Sequence, residues 1–117
     1  MTEPTRIFHN ARCSKSRQTL ELLREQGVEP EIIRYLETPP TGQILEHILE
    51  ALDIGPRELM RTGEKEYKEQ GLDDPGLDRE TLIKAMVDTP KLIERPIVIK
   101  GNKVALGRPP ENVLSIL

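Results

Sequence analysis

Residues 6–36 run strand, helix, strand at a spacing that leaves few ways to fold. Arg6-Ile7-Phe8-His9 is a short apolar run bounded by polar residues and reads as a buried strand. Thr19, Leu20, Leu22 and Leu23 then line one face of a helix, with Glu21, Arg24 and Glu25 on the other. Gly27 stands just past its end, where helices commonly stop. Glu31-Ile32-Ile33-Arg34-Tyr35-Leu36 is β-branched and aromatic and predicts a second strand. Two strands joined through a helix within about thirty residues make a βαβ unit, with parallel strands and a right-handed crossover.

The remaining segments extend this unit. Thr38-Pro39-Pro40-Thr41 is a rigid turn with Thr41 as a candidate N-cap, and Ile44, Leu45, Ile48, Leu49 and Leu52 recur at helical spacing. Gly55-Pro56 opens a shorter helix through Leu59-Met60. Residues 62–78 are charged and glycine-bearing, with Asp73-Asp74-Pro75-Gly76 as a loop. Asp78 can cap a further helix carrying Leu82, Ile83, Met86 and Val87. Ile97-Val98-Ile99-Lys100 and Lys103-Val104-Ala105-Leu106 flank Gly101-Asn102, a specific hairpin signal. Pro109-Pro110 starts a last helix, Glu111 to Leu117. The order β-α-β, helices, β-β-α predicts an α/β, thioredoxin-like mixed four-stranded sheet with an inserted helical subdomain. We expect one domain over residues 1–117, with the insert at about 41–90.

With one Phe, two Tyr and no Trp, the core must be filled by Leu, Ile and Val. Seventeen basic against twenty acidic residues give a net charge of −3, so a global basic footprint for nucleic acid is absent. No stretch approaches the roughly 20 apolar residues of a membrane span. Met1-Thr2-Glu3-Pro4 lacks the features of a signal peptide. A cytoplasmic protein is expected.

Cys13 is the only cysteine, which rules out an intramolecular disulfide and a structural zinc site. His9 and His47 lie too far apart to give metal-ligand spacing with it, so no metal is expected. Cys13 is either an inert buried residue or a reactive thiol. Its place between the first strand and the first helix favours the second. Unpaired N–H groups at a helix N-terminus stabilise a thiolate. Lys15 and Arg17 add positive charge nearby, and the Ser14 and Ser16 hydroxyls can donate to the sulfur. His9, four residues earlier, is suited to tuning the thiolate. Cys13-Ser14-Lys15-Ser16 takes the place of a C-x-x-C redox motif with serine at its second cysteine, so an external thiol must resolve any adduct.

A lone arginine is most often a solvated surface charge. Arg95 is less ordinary, because it directly precedes Pro96. In a thioredoxin-like fold the proline before the third strand is often cis and faces the helix-one cysteine, which would set Arg95 beside Cys13. Arg61 ends the turn Glu58-Leu59-Met60-Arg61, and Arg108 follows Gly107 at the exit of the hairpin. Several guanidiniums around a thiolate would suit a tetrahedral oxyanion.

Ile7-Phe8-His9-Asn10-Ala11-Arg12-Cys13-Ser14-Lys15-Ser16-Arg17 resembles the active-site segment of the glutaredoxin-linked arsenate reductases. The family pattern H-x3-C-x3-R is matched by His9, Cys13 and Arg17. Tyr35-Leu36-Glu37-Thr38-Pro39-Pro40, Glu58-Leu59-Met60-Arg61, Glu94-Arg95-Pro96-Ile97-Val98 and Gly107-Arg108-Pro109 are similar to other family segments. The resemblance covers the chain from about residue 6 to its end. It implies that Cys13 attacks arsenate to give a thiolate–arsenic(V) adduct, with Arg61, Arg95 and Arg108 binding the oxyanion. It implies glutathione as co-substrate, glutaredoxin as partner and no bound cofactor. His9, Asn10, Ser14, Ser16 and Arg17 fall in the thiolate-tuning loop. Ala11 stands where the best-known members carry proline, which predicts a looser loop.

Two other readings use the same residues. One is a glutathione-dependent thiol-disulfide reductase without arsenate specificity, which needs no set of arginines. The other is a non-catalytic regulator that binds RNA polymerase. Ser16 in place of a second cysteine, and the retention of Arg95 and Arg108, weigh against the regulator.

Overall fold

A computed structural model of the chain describes residues 4–117. It divides into two compact units, one made of the residues up to Thr38 together with Arg95–Leu117, the other of Pro39–Glu94.

The first unit contains β1 (Thr5–Phe8), α1 (Ser14–Glu25), β2 (Glu31–Ile33), β3 (Ile97–Lys100), β4 (Lys103–Leu106) and a 3₁₀ segment, Pro110–Ile116. Among the described residues the four strands form one sheet in the order β2-β1-β3-β4. β1 and β2 pair in parallel, with Ile7 opposite Ile32, while β3 runs antiparallel to both β1 and β4. This is the thioredoxin-like mixed sheet expected from the order of elements. Ile7, Leu23, Val98, Ala105, Val113 and Ile116 form its core. Each large aliphatic chain buried this way contributes about 1.5–3 kcal/mol relative to exposure. Gly27 ends α1 at φ +78°, a backbone angle that suits glycine.

β2 is shorter than its sequence suggests. The Arg34 carbonyl accepts from the N–H groups of Glu37 and Thr38, at 2.9 Å each, and turns the chain after Ile33. Tyr35 therefore leaves the strand and is 1% exposed. The C-terminal element, expected as a helix over 111–117, is the 3₁₀ segment Pro110–Ile116.

The second unit is helical: α2 (Gly42–Leu52), α3 (Lys65–Glu69) and α4 (Arg79–Asp88), with 3₁₀ turns at Pro56–Leu59 and Pro90–Leu92. Thr41 caps α2 by accepting from Ile44 N at 3.2 Å, and Asp78 caps α4 by accepting from Thr81 N at 2.8 Å. The stretch 62–78 is not loop throughout. Its buried Tyr67 anchors the short helix α3, a signal that the surrounding charge conceals. No helix of the described residues is long and apolar enough to cross a membrane.

Candidate active site

Cys13 is the N-cap residue of α1, in extended conformation at φ −92°, ψ 122°. A tight set of local bonds places it there. Cys13 N–H donates to Asn10 O at 2.9 Å, and Arg12 N–H donates to Asn10 Oδ1 at 3.0 Å, so the Asn10 side chain folds the turn back on itself. Arg17 N–H donates to Cys13 O at 3.0 Å, which begins the helix. The Arg17 guanidinium returns to the loop and donates through Nη1 to Ala11 O at 2.8 Å. These bonds tie together the loop that carries Ala11.

Ser16 and His9 lie behind the turn. Ser16 is 0% exposed, and its Oγ stands 2.6 Å from His9 Nδ1 while accepting from Asn10 N–H at 3.0 Å. The hydroxyl expected to reach the sulfur is thus engaged with the imidazole. Burial, with help from Arg34, Arg17 and Arg24, holds the His9 pKa below its ordinary value. A neutral ring can accept the Ser16 hydroxyl's hydrogen bond at Nδ1, which ties His9 to the first turn of α1.

The opposing wall comes from the far end of the sequence. The Arg95–Pro96 and Arg108–Pro109 peptide bonds are both cis. Arg108 Nε donates to Arg95 O at 2.7 Å, and Arg108 Nη2 lies 3.6 Å from Cys13 Sγ. Gly107 permits this approach. Its N–H donates to Pro96 O at 2.9 Å, and a Cβ there would meet Thr19 Oγ1 at 2.5 Å and Pro96 Cγ at 2.6 Å. Thr19 is itself buried in α1, with its hydroxyl donating to Lys15 O. The sequence marks Gly107 only as part of Gly107-Arg108-Pro109 and Thr19 only as a helix-face residue, and their contact is not readable there. A small residue directly before Arg108 was the available sign.

Cys13 as a residue is 8% exposed and so buried. Burial pushes the Cys13 thiol up, but the Ser16 N–H, Arg95, the Lys15 N–H and Arg108 together bring it below the ordinary value. Sγ makes no cap hydrogen bond of ordinary length, so the two N–H groups act on it electrostatically. The cations that matter are Arg95 and Arg108. Lys15 contributes through its backbone, and the Arg17 side chain is bound to the loop. Ser14, exposed, opens α1. A thiolate flanked by guanidiniums can act as a nucleophile toward an electrophilic centre that carries oxyanions.

Arg61 belongs to the Pro39–Glu94 unit. There its Nη1 pairs with Glu64 Oε1 at 2.6 Å, and its backbone N–H donates to Leu92 O at 2.7 Å. Among the described residues no three His, Cys, Asp or Glu side chains gather so as to hold a metal ion.

The chain is similar to several known proteins. The ArsC family model matches residues 8–116. The Escherichia coli K12 protein YfgD, described as uncharacterized, is 55% identical over 118 residues, covering 100% of this chain and 99% of its own. A Neisseria meningitidis serogroup A protein named arsenate reductase is 48% identical over 113 residues, covering 96% of this chain and 97% of its own. A solved structure described as arsenate reductase from Vibrio cholerae matches with TM-score 0.95 at 46% identity, over 100% of both chains. With the family model spanning nearly the whole sequence and relatives about half identical from end to end, the chain belongs to the ArsC family.

Proposed function

We propose that the protein reduces arsenate to arsenite, with Cys13 as the nucleophile. The observation that carries the reading is the 3.6 Å approach of Arg108 Nη2 to Cys13 Sγ, at a thiol whose surroundings favour the thiolate. Relatives named arsenate reductase supply the substrate.

In the first step the Cys13 thiolate attacks arsenic(V). One As–O bond breaks, its oxygen leaves as water after protonation, and an S–As(V) bond forms. No electrons are transferred. Arg95 and Arg108 bind the remaining oxygens, since planar guanidiniums match tetrahedral oxyanions in pairs. Glutathione then displaces a second oxygen as water. A glutaredoxin thiolate attacks the glutathione sulfur and forms a mixed disulfide, and the As–S electron pair stays on arsenic, now As(III). Hydrolysis of the Cys13–As bond releases arsenite and restores the thiol. Two thiols are oxidised to one disulfide for each arsenic reduced. Both reductants are characteristic of a reducing cytoplasm, where the reaction belongs. Ser16 and Asn10 keep the loop in register through these steps, and His9 stays neutral behind them.

The test is arsenite formation from arsenate, glutathione and glutaredoxin. The wild-type protein is expected to form arsenite and to be inhibited by phosphate, a near-isostere of arsenate. Cys13→Ser is expected to form none while keeping its fold, since serine is a favoured N-cap. No arsenite at millimolar arsenate, or full activity in Cys13→Ser, contradicts the proposal.

A further inference from the structure

Arg108 and the residues that tie it down all belong to the unit that carries Cys13. Before it in sequence, Gly107 N–H donates to Pro96 O at 2.9 Å. At its head, Arg108 Nε donates to Arg95 O at 2.7 Å, and Nη2 lies 3.6 Å from Cys13 Sγ. Behind it, Asn112 Nδ2 donates to Arg108 O at 3.0 Å. The sequence explains why a side chain makes this last bond. Pro109 and Pro110, which follow Arg108, have no N–H to offer. The Asn112 backbone N–H is given to Pro109 O at 3.0 Å. The Asn112 amide reaches back four positions instead. A carbonyl oxygen only accepts, so the atom facing it is the amide nitrogen. Asn112 is itself steadied within the Pro110–Ile116 segment, where its carbonyl accepts from Ser115 Oγ at 2.9 Å.

We propose that Asn112 is a positioning residue: by holding the Arg108 carbonyl it sets the base from which the Arg108 guanidinium reaches the Cys13 sulfur. Arg108 is exposed, and an exposed arginine ordinarily samples many rotamers. Its Nε bond to Arg95 O can form only when its backbone stands in the right place, and the Asn112 bond fixes that backbone. Attraction between a guanidinium and a thiolate falls with separation. A backbone free to drift therefore leaves the cation farther from the sulfur for part of the time. Asn112 carries no charge, so it acts on the thiol through Arg108 and not by a field of its own. The inference deepens the reading above, in which Arg108 also binds the oxyanion, but it concerns the sulfur and is tested there.

A double-mutant cycle separates this role from a general effect on the fold. The pH dependence of Cys13 alkylation by iodoacetamide, an uncharged probe, is measured in wild type, Asn112→Ala, Arg108→Ala and the double variant. Asn112→Ala is expected to raise the midpoint by about 0.3 pH unit, which reads as about twofold slower alkylation well below the midpoint. The rise is expected to be smaller than that in Arg108→Ala. In the Arg108→Ala background, adding Asn112→Ala is expected to change nothing further. A wild-type midpoint in Asn112→Ala overturns the proposal. So does an equal rise in both backgrounds, because the effect then reaches the sulfur without Arg108, as a general loosening of the fold would. If Arg108→Ala leaves the midpoint unchanged, Arg108 does not act on the sulfur and the role of Asn112 falls with it. If the shifts appear as expected but the wild-type protein forms no arsenite, the arsenate reading alone is wrong and the positioning role stands.

Discussion

Two walls meet at the Cys13 sulfur, and they are built by opposite means. The loop Asn10–Arg17 is held by bonds between near neighbours, the widest being Ser16 to His9 at seven positions. The facing shelf of Arg95, Pro96, Gly107 and Arg108 reaches the sulfur across 95 positions of sequence, through the β3–β4 hairpin. The loop contributes backbone N–H dipoles, fixed once α1 begins. The shelf contributes whole charges, but these depend on the hairpin's register and on a close approach to α1. Stabilisation of the thiolate therefore has a robust local part and a distant part that a small displacement can remove.

The shelf breaks most readily at Gly107. A methyl group there would stand 2.5 Å from Thr19 Oγ1 and 2.6 Å from Pro96 Cγ, and both of those residues are buried. Gly107→Ala is expected to lower stability by about 1–3 kcal/mol, the usual cost of overpacking. It also carries Arg108 away from the sulfur and raises the thiol pKa. A denaturant melt and a thiol titration check this together; an unchanged midpoint and pKa would mean that the close approach is not needed.

The loop wall yields a smaller effect, visible in acid. Burial and neighbouring cations hold the His9 pKa below its unfolded value, so the unfolded chain binds that proton more readily. Stability then falls as pH drops below about 6.5, with a slope no steeper than ~1.4 kcal/mol per pH unit for one proton. The lowered carboxylates Glu46, Glu66 and Asp78 lose their contributions at lower pH, in and below the carboxylate range. Melting between pH 7 and about 5 isolates the histidine from those carboxylates. His9→Asn is expected to flatten the curve there, and an equal slope in the variant would remove His9 from the account.

The same contrast explains what could be read from the sequence. The order of elements was legible, because Ile7, Leu23 and Val98 carry clear strand and helix periodicities. So was the placement of Cys13 at a helix start. Which hydrogen bonds each loop side chain chose was not legible. Ser16 had a sulfur, an imidazole and several backbone groups within reach, and the buried His9 took its hydroxyl. The end of β2 was missed because Tyr35 looks like a strand residue and is buried as the chain turns. Gly107 and Thr19 gain their meaning only from long-range packing. The Arg61–Glu64 pair was three residues apart in plain view, but its tie to Lys91 needed the fold.

The central claim is that Cys13 is a thiolate-prone sulfur, held by two N–H groups and two guanidiniums. The pH dependence of Cys13 alkylation measures it directly, in the wild-type protein and in Arg108→Ala. The account predicts a wild-type midpoint below the free-cysteine value of about 8.5. In Arg108→Ala it predicts a higher midpoint, because one of the two guanidiniums that favour the thiolate is gone. A wild-type midpoint at or above the free value, or no shift on removing Arg108, would contradict it.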